Sequence, residues 1–267
     1  MKTGKINKIW KALAAALMLA VMIGASAMAA DKTVEMTPDP SGAYVYAGVN
    51  EDPLNTVYHR FVAPSSGVIA VSGSSVSAVT GNTYGISIAL CDSNFRLLDE
   101  FESGAYIAST DDPELYAVKK GVYYVRVRNE KNYVIAAAFQ KWTNKGGTSK
   151  SRAKTIKQNK TTKGLMPAGE KSSAADWYKF KVTKSKKLNI IVATEGTGSL
   201  QFYVYGPSYK KGVMLGTLRN QKGSYYSINA LNRKKIKIKT GTYYIKVVRP
   251  KYDKKSNAAY TLKWKLK

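Results

Sequence analysis

Residues 239–247 read KTGTYYIKV, and 120 positions earlier residues 119–127 read KKGVYYVRV. A phrase that returns at a fixed distance points to an internal repeat, and its neighbours test that. Upstream, HRFVAPSSGVIAV (59–71) lines up with YKFKVTKSKKLNIIV (178–192), which sets Phe61 opposite Phe180. Downstream, YVIAAAFQKW (133–142) lines up with YTLKWKLK (260–267). The three matches keep one order at offsets of 119, 120 and 127 residues, which independent coincidences would not do. The chain reads as a tandem of two related domains, 31–142 and 150–267, joined by a linker at 143–149.

Each match has the period of a strand. Phe180 and Val182 alternate with Lys179 and Lys181; Ile236 and Ile238 with Lys235, Lys237 and Lys239; Leu262, Trp264 and Leu266 with Lys263, Lys265 and Lys267. Period two means one buried and one solvated face, the habit of antiparallel sheets. Gly121 and Gly241 stand between strand-like runs, where a tight turn asks for positive φ. No window carries a helical stripe. The expected fold is all-β, two tandem antiparallel β-sandwiches.

Residues 1–30 stand outside that fold. Lys2, Lys5, Lys8 and Lys11 precede a thirteen-residue apolar run, Ala12 to Gly24, and then small residues suited to cleavage after Ala29. This is the pattern of a secretory signal peptide, and the run is short for a membrane span. The expected product is secreted, with no transmembrane segment in its mature form, and free to associate with a cell surface. A single cysteine, Cys91, permits no intramolecular disulfide, and its apolar setting in ISIALCD suits a buried, inert thiol.

The strands also carry a family pattern. Asp176, Tyr178, Phe180, Val182, Gly241, Tyr243, Tyr244, Ile245, Val247 and Tyr260 make the second domain resemble the bacterial pre-peptidase C-terminal domain. The collagen-binding modules of clostridial collagenases look similar. The first domain is a looser copy, with Tyr58, Phe61, Gly121, Tyr123, Tyr124, Val125, Val127 and Tyr133. The resemblance implies a jelly-roll-like sandwich of the kind appended to secreted peptidases. In the collagen-binding relatives, acidic residues ahead of the first repeat strand hold calcium. Here Asn50, Glu51 and Asp52 occupy that loop, with Asp31, Glu35 and Asp39 upstream, and hard oxygen ligands of this kind suit Ca²⁺. The relatives' key tyrosines follow the Tyr-Tyr strand, where this chain has Val248 and Pro250, or Arg128 and Glu130.

Catalytic groups are sparse. The one histidine, His59, is expected at a surface or edge position. Ser208 and Lys211 have serine–lysine spacing inside GPSYKKG, which reads as a loop. Asp111, Asp112 and Glu114 sit on one segment, whereas paired glycosidase carboxylates face each other across a cleft. The expectation is a protein that is not an enzyme.

Charge separates the two domains. Residues 31–145 hold 10 Lys and Arg against 13 Asp and Glu; residues 146–267 hold 29 against 4. Solubility is served by mixed charge, so an excess of one sign speaks to partners. Lys179, Lys181, Arg233, Lys234, Lys235, Lys237, Lys239, Lys246, Lys263 and Lys265 are the candidate polyanion-binding residues, expected on a continuous cationic sheet face. Lys150, Arg152, Lys154, Lys157, Lys160 and Lys163 lead into it. Tyr203, Tyr205, Tyr209, Tyr225, Tyr226 and Tyr252 read mainly as half-buried strand packing. The expected partner is an anionic polymer, such as a cell-envelope or host glycan, with no specific nucleic acid. The alternative is an accessory protein that docks on a secreted hydrolase, such as a peptidase, or on its substrate.

Overall fold

The alternation in WYKFKVT forms a strand, Ala175–Val182, that buries Asp176, Tyr178, Phe180 and Val182 and turns Trp177, Lys179 and Lys181 outward. The computed structural model describes residues 32–38, 44–49, 56–76, 83–98, 107–108, 113–128, 132–196, 198–218, 226–228 and 238–266. The signal-peptide segment lies outside these residues. Every regular element among them is a strand, and no helix among them is long and apolar enough to cross a membrane. The chain divides into two units, Met1–Lys141 and Trp142–Lys267.

The first unit contains β1 (Lys32–Glu35), β2 (Thr37–Pro38), β3 (Tyr44–Val49), β4 (Val57–Ala63) and β5 (Gly67–Val76). It continues with β6 (Thr83–Cys91), β7 (Ile107–Ala108), β8 (Glu114–Val118), β9 (Gly121–Val127) and β10 (Asn132–Lys141). Its strands run in the order β1-β4-β9-β6-β5-β10-β3-β2, with β8 on β5 and β7 on β6. The sheet curls at β6, whose start pairs with β5 and whose end pairs with β9.

The second unit contains β11 (Lys154–Thr155), β12 (Thr162–Met166), β13 (Ala175–Val182), β14 (Leu188–Glu195) and β15 (Leu200–Gly206). Then come β16 (Tyr209–Leu218), β17 (Tyr226–Ile228), β18 (Gly241–Val248) and β19 (Ala258–Leu266). One sheet is β11-β13-β18-β15-β16 and the other β12-β19-β14-β17. Strand order is the same in both units: β1-β4-β9-β6 corresponds to β11-β13-β18-β15, and β3-β10-β5-β8 to β12-β19-β14-β17. Register agrees too, with Phe61 opposite Tyr123 and Phe180 opposite Tyr243.

The repeated phrase has a local cause. Its first tyrosine points inward and its hydroxyl donates to the carbonyl four residues back: Tyr123 to Lys119 O at 3.0 Å, Tyr243 to Lys239 O at 2.9 Å. The lysine, the glycine and the tyrosine together close the bend that opens β9 and β18. In the first unit the two runs that flank this bend do not pair with each other. β8 pairs with β5, while β9 pairs with β4 and β6, so the chain crosses between regions of the sheet at Gly121. In the second unit Ile238 and Lys239 belong to no strand; their N–H groups donate to Lys186 O and Ser208 Oγ. Gly241 does have φ +136°, and a Cβ there would lie 2.6 Å from Pro207. Gly121 has neither constraint.

His59 is fully buried, not at a surface or edge. The alignment of 59–71 with 178–192 puts His59 in the place of Tyr178, and with Phe61 facing the core, strand parity carries His59 inward too. His59 Nε2 lies 2.8 Å from Tyr133 Oη, as Tyr178 Oη lies 2.9 Å from Tyr260 Oη in the second unit. The second core centres on Phe180, stacked on Trp264 (4.5 Å, 27°) and on Tyr243 (5.7 Å, 20°). Such aromatic pairs add roughly 0.5–1.5 kcal/mol to their area burial.

Candidate anion-binding surface

The second unit's four carboxylates are committed within its own structure. Asp176 is buried and accepts hydrogen bonds from Tyr260 Oη and Asn144 Nδ2. Burial raises its pKa above the usual carboxylate range, opposed by those hydrogen bonds and by Arg249. Glu195 is also pushed up by burial, with Lys163 opposing. Asp253 accepts from Ser199 N, and Glu170 lies 3.8 Å from Arg249. Arg249 is an interior cation: its guanidinium donates to Ser256 O, Pro167 O and Lys171 O, and burial lowers its pKa. The charge left on the surface is therefore overwhelmingly lysine.

The sandwich sorts those lysines onto two faces. Lys179 and Lys181 on β13 and Lys246 on β18 point out from the five-stranded sheet. Lys263 and Lys265 on β19 point out from the four-stranded sheet, because Leu262 and Trp264 face the shared core. The candidates are thus two groups on opposite outer faces. Lys239 is exposed on the bend before β18. Arg233, Lys234, Lys235 and Lys237 lie outside the described residues.

Aromatic rings lie between the lysines of the five-stranded sheet. Pairing aligns Trp177, Lys246 and Tyr203 in one row across β13, β18 and β15, and Lys179, Tyr244 and Tyr205 in the next. Lys246 Nζ sits 5.5 Å from the Trp177 ring, and Lys150 Nζ 5.1 and 5.6 Å from Tyr244 and Tyr205. Trp177 and Tyr205 are 5.5 Å apart. Trp177 and Tyr244 were absent from the candidates, although strand parity in WYKF and YYIK places both outward. Tyr203 and Tyr209 are half-buried, as read, but Tyr252 is 71% exposed.

The segment 143–149, read as a linker, is bonded into the second unit. Asn144 Nδ2 donates to Leu165 O and Asp176, Gly147 exchanges two backbone hydrogen bonds with Trp177, and Trp142 Nε1 donates to Gly164 O. Ser208 Oγ accepts the Lys239 N–H, which gives it a structural place in the bend. Among the described residues no group of three His, Cys, Asp or Glu side chains could hold a metal ion. Asn50, Glu51 and Asp52 lie outside those residues, as do Asp31 and Asp39. Glu35 faces Arg60, with both carboxylate oxygens within 3.1 Å.

Residues 174–249 match the family model of the bacterial pre-peptidase C-terminal domain. Among solved structures, the chain is similar to the pre-peptidase C-terminal domain of a collagenase from Bacillus anthracis. Identity there is 22%, over 42% of this chain and 94% of that one, with a TM-score of 0.30. A CBM22 tandem domain of Xyn10C from Paenibacillus barcinonensis is 8% identical over 77% of this chain and 80% of that one, at a TM-score of 0.24. The CUB1-EGF-CUB2 domains of rat MASP-1 are 9% identical over 85% and 99%, at 0.24. No curated protein matches the chain. The family match lies within the second unit and covers residues 174–249 of it.

Proposed function

We propose, taking the second unit as a pre-peptidase C-terminal domain over residues 174–249, that this protein is a secreted, non-catalytic binder of anionic polymers. The second unit supplies the attraction, and the first is a divergent copy of the same fold without the charge. The observation that carries this reading is the commitment of Asp176, Glu170 and Asp253 to internal contacts, which leaves Lys179, Lys181, Lys246, Lys263 and Lys265 at the surface with few opposing charges nearby. Lysine is a hydrated point charge, so the attraction is diffuse and tolerant of ligand geometry. Extracellular polymers with repeated sulfate, phosphate or carboxylate groups are the fitting class.

The test is retention of the mature chain on immobilised sulfated glycan beside a neutral glycan of equal length. Retention on the sulfated support alone is expected. Changing Lys179, Lys181, Lys246, Lys263 and Lys265 together to Gln should weaken it without unfolding the protein, since all five face outward from their sheets, Lys181 exposed and the others half-buried, and such surface changes cost within about 0.5 kcal/mol each. Equal retention on both supports would defeat the reading. The family match also favours a second role, docking on a secreted peptidase; co-elution with such an enzyme that survives high salt would support it over polyanion attraction.

A further inference from the structure

A cleft of ≈ 410 Å³ opens in the second unit, lined by Lys145, Lys154, Lys157 and Lys160 with Thr155, Ile156 and Thr162. Four of its seven lining residues among the described ones are lysines, and none is Asp or Glu. The cleft lies where the chain passes from β11, at the edge of one sheet, to β12, at the edge of the other.

Its walls are fixed by hydrogen bonds that do not involve the lysine side chains. Ile156 N donates to Lys179 O at 2.9 Å, and Trp264 Nε1 donates to Ile156 O at 3.2 Å. Asn159 N donates to Trp264 O at 2.9 Å, and Lys160 N to Lys157 O at 3.3 Å. Asn159 takes φ +60°, which asparagine tolerates well and which completes the turn between Lys157 and Lys160. On the other side, the hydrogen bonds of Asn144 and Gly147 hold the backbone around Lys145. The positions from which four like charges project are therefore set before any ligand arrives, which lowers the ordering cost of binding.

We infer that this cleft is a binding site for an anionic sugar unit, sulfated or carboxylated, of the polymer to which the protein adheres. The inference rests on the polyanion reading above and adds a subsite to it: the two lysine faces attract the polymer diffusely, and the cleft holds one of its units. Sulfate or carboxylate groups meet the four Nζ groups, and Thr155 and Thr162 offer hydroxyls to ring substituents. The aliphatic stems of four lysines provide apolar wall, against which the C–H faces of a sugar ring pack. A bare inorganic polyanion would use the charges and leave those stems without a partner.

The experiment uses the mature chain and two probes of matched charge, a heparin tetrasaccharide and a short inorganic polyphosphate. One variant carries Lys145, Lys154, Lys157 and Lys160 changed to Gln; all four are exposed and none anchors the walls through its side chain. A charge-matched control carries Lys210, Lys211, Lys251 and Lys254 changed to Gln, the first two on β16 at the opposite edge of the sheet. The cleft variant should lose at least about tenfold in tetrasaccharide affinity and the control far less, because local contacts outweigh total charge. Amide resonances of Thr155–Thr162 should shift with the tetrasaccharide. Equal losses in the two variants would overturn the cleft and leave the polyanion reading standing. Polyphosphate bound as tightly through the same amides would overturn the sugar assignment. Failure of the unaltered chain to bind either probe would overturn both readings.

Discussion

Replacing Tyr260 by Phe removes one oxygen from the centre of the second unit. Tyr260 is 1% exposed, and its hydroxyl contacts Asp176 Oδ2 and Tyr178 Oη. Without it, Asp176 keeps Asn144 Nδ2 at 3.0 Å, and the buried Tyr178 hydroxyl loses its Tyr260 partner. Leaving one buried polar group unsatisfied costs about 1–3 kcal/mol, and more for a charged one. Two groups are affected and one stays partly satisfied, so a loss of about 2–4 kcal/mol at neutral pH is expected. The loss should depend on pH. Burial already raises the Asp176 pKa, and the Tyr260 hydrogen bond opposes that rise; removing the bond lifts the pKa further. A carboxyl whose folded pKa is raised contributes stability that is present at low pH and lost as pH rises through the folded value. The variant should therefore recover part of its deficit as pH falls from neutral toward the ordinary Asp range. Past residue 30, all tryptophans lie in the second unit (Trp142, Trp177 and Trp264), so urea unfolding of residues 31–267 followed by tryptophan fluorescence reports this unit. A loss below about 0.5 kcal/mol, the range of an ordinary surface change, or the same loss at every pH would refute the reasoning.

Gly241→Ala should cost about 1–3 kcal/mol, because φ is +136° and the added Cβ would crowd Pro207, while Gly121→Ala should be nearly neutral; paired thermal melts decide. His59→Ala should destabilise the first unit by about 2–4 kcal/mol through a cavity and the lost Tyr133 partner, seen as earlier proteolysis of that unit with the tryptophan transition unchanged. Asp176→Asn should flatten the acid side of the second unit's stability profile, since the raised pKa that creates the slope is gone.

Much of this architecture can be read from residue parity. Phe180, Val182, Leu262 and Trp264 are apolar at every second place, and the structure buries each of them. The same parity, run back from Phe61, reaches His59, so the surface expectation for that residue went against the alternation of its own strand. The reach of Tyr243 back to Lys239 is written as a lysine four residues before a tyrosine, yet it uses the lysine's carbonyl, about which side-chain patterns are silent. A glycine between two strand-like runs says only that the chain bends; whether it pairs back or crosses over is decided by distant strands such as β5. A single cationic face was expected because lysines on separate strands cannot be assigned to one sheet or the other before strand order is known. The cleft had no periodic signal: Lys145, Lys157 and Lys160 come from irregular segments, and the course of the chain at 156–160 depends on Lys179 and Trp264, far along the sequence.

The claim that the second unit adheres by charge is tested most directly by the salt dependence of its affinity for a sulfated glycan. Titration of residues 31–267 with heparin fragments between about 50 and 200 mM salt should give log affinity falling linearly and steeply with log salt, as ionic contacts displace condensed counterions. The five-lysine variant at Lys179, Lys181, Lys246, Lys263 and Lys265 should show a shallower line. Affinity that is unchanged across that salt range, or a variant whose slope equals that of the unaltered chain, would contradict the claim and leave the lysines as a solubilising coat.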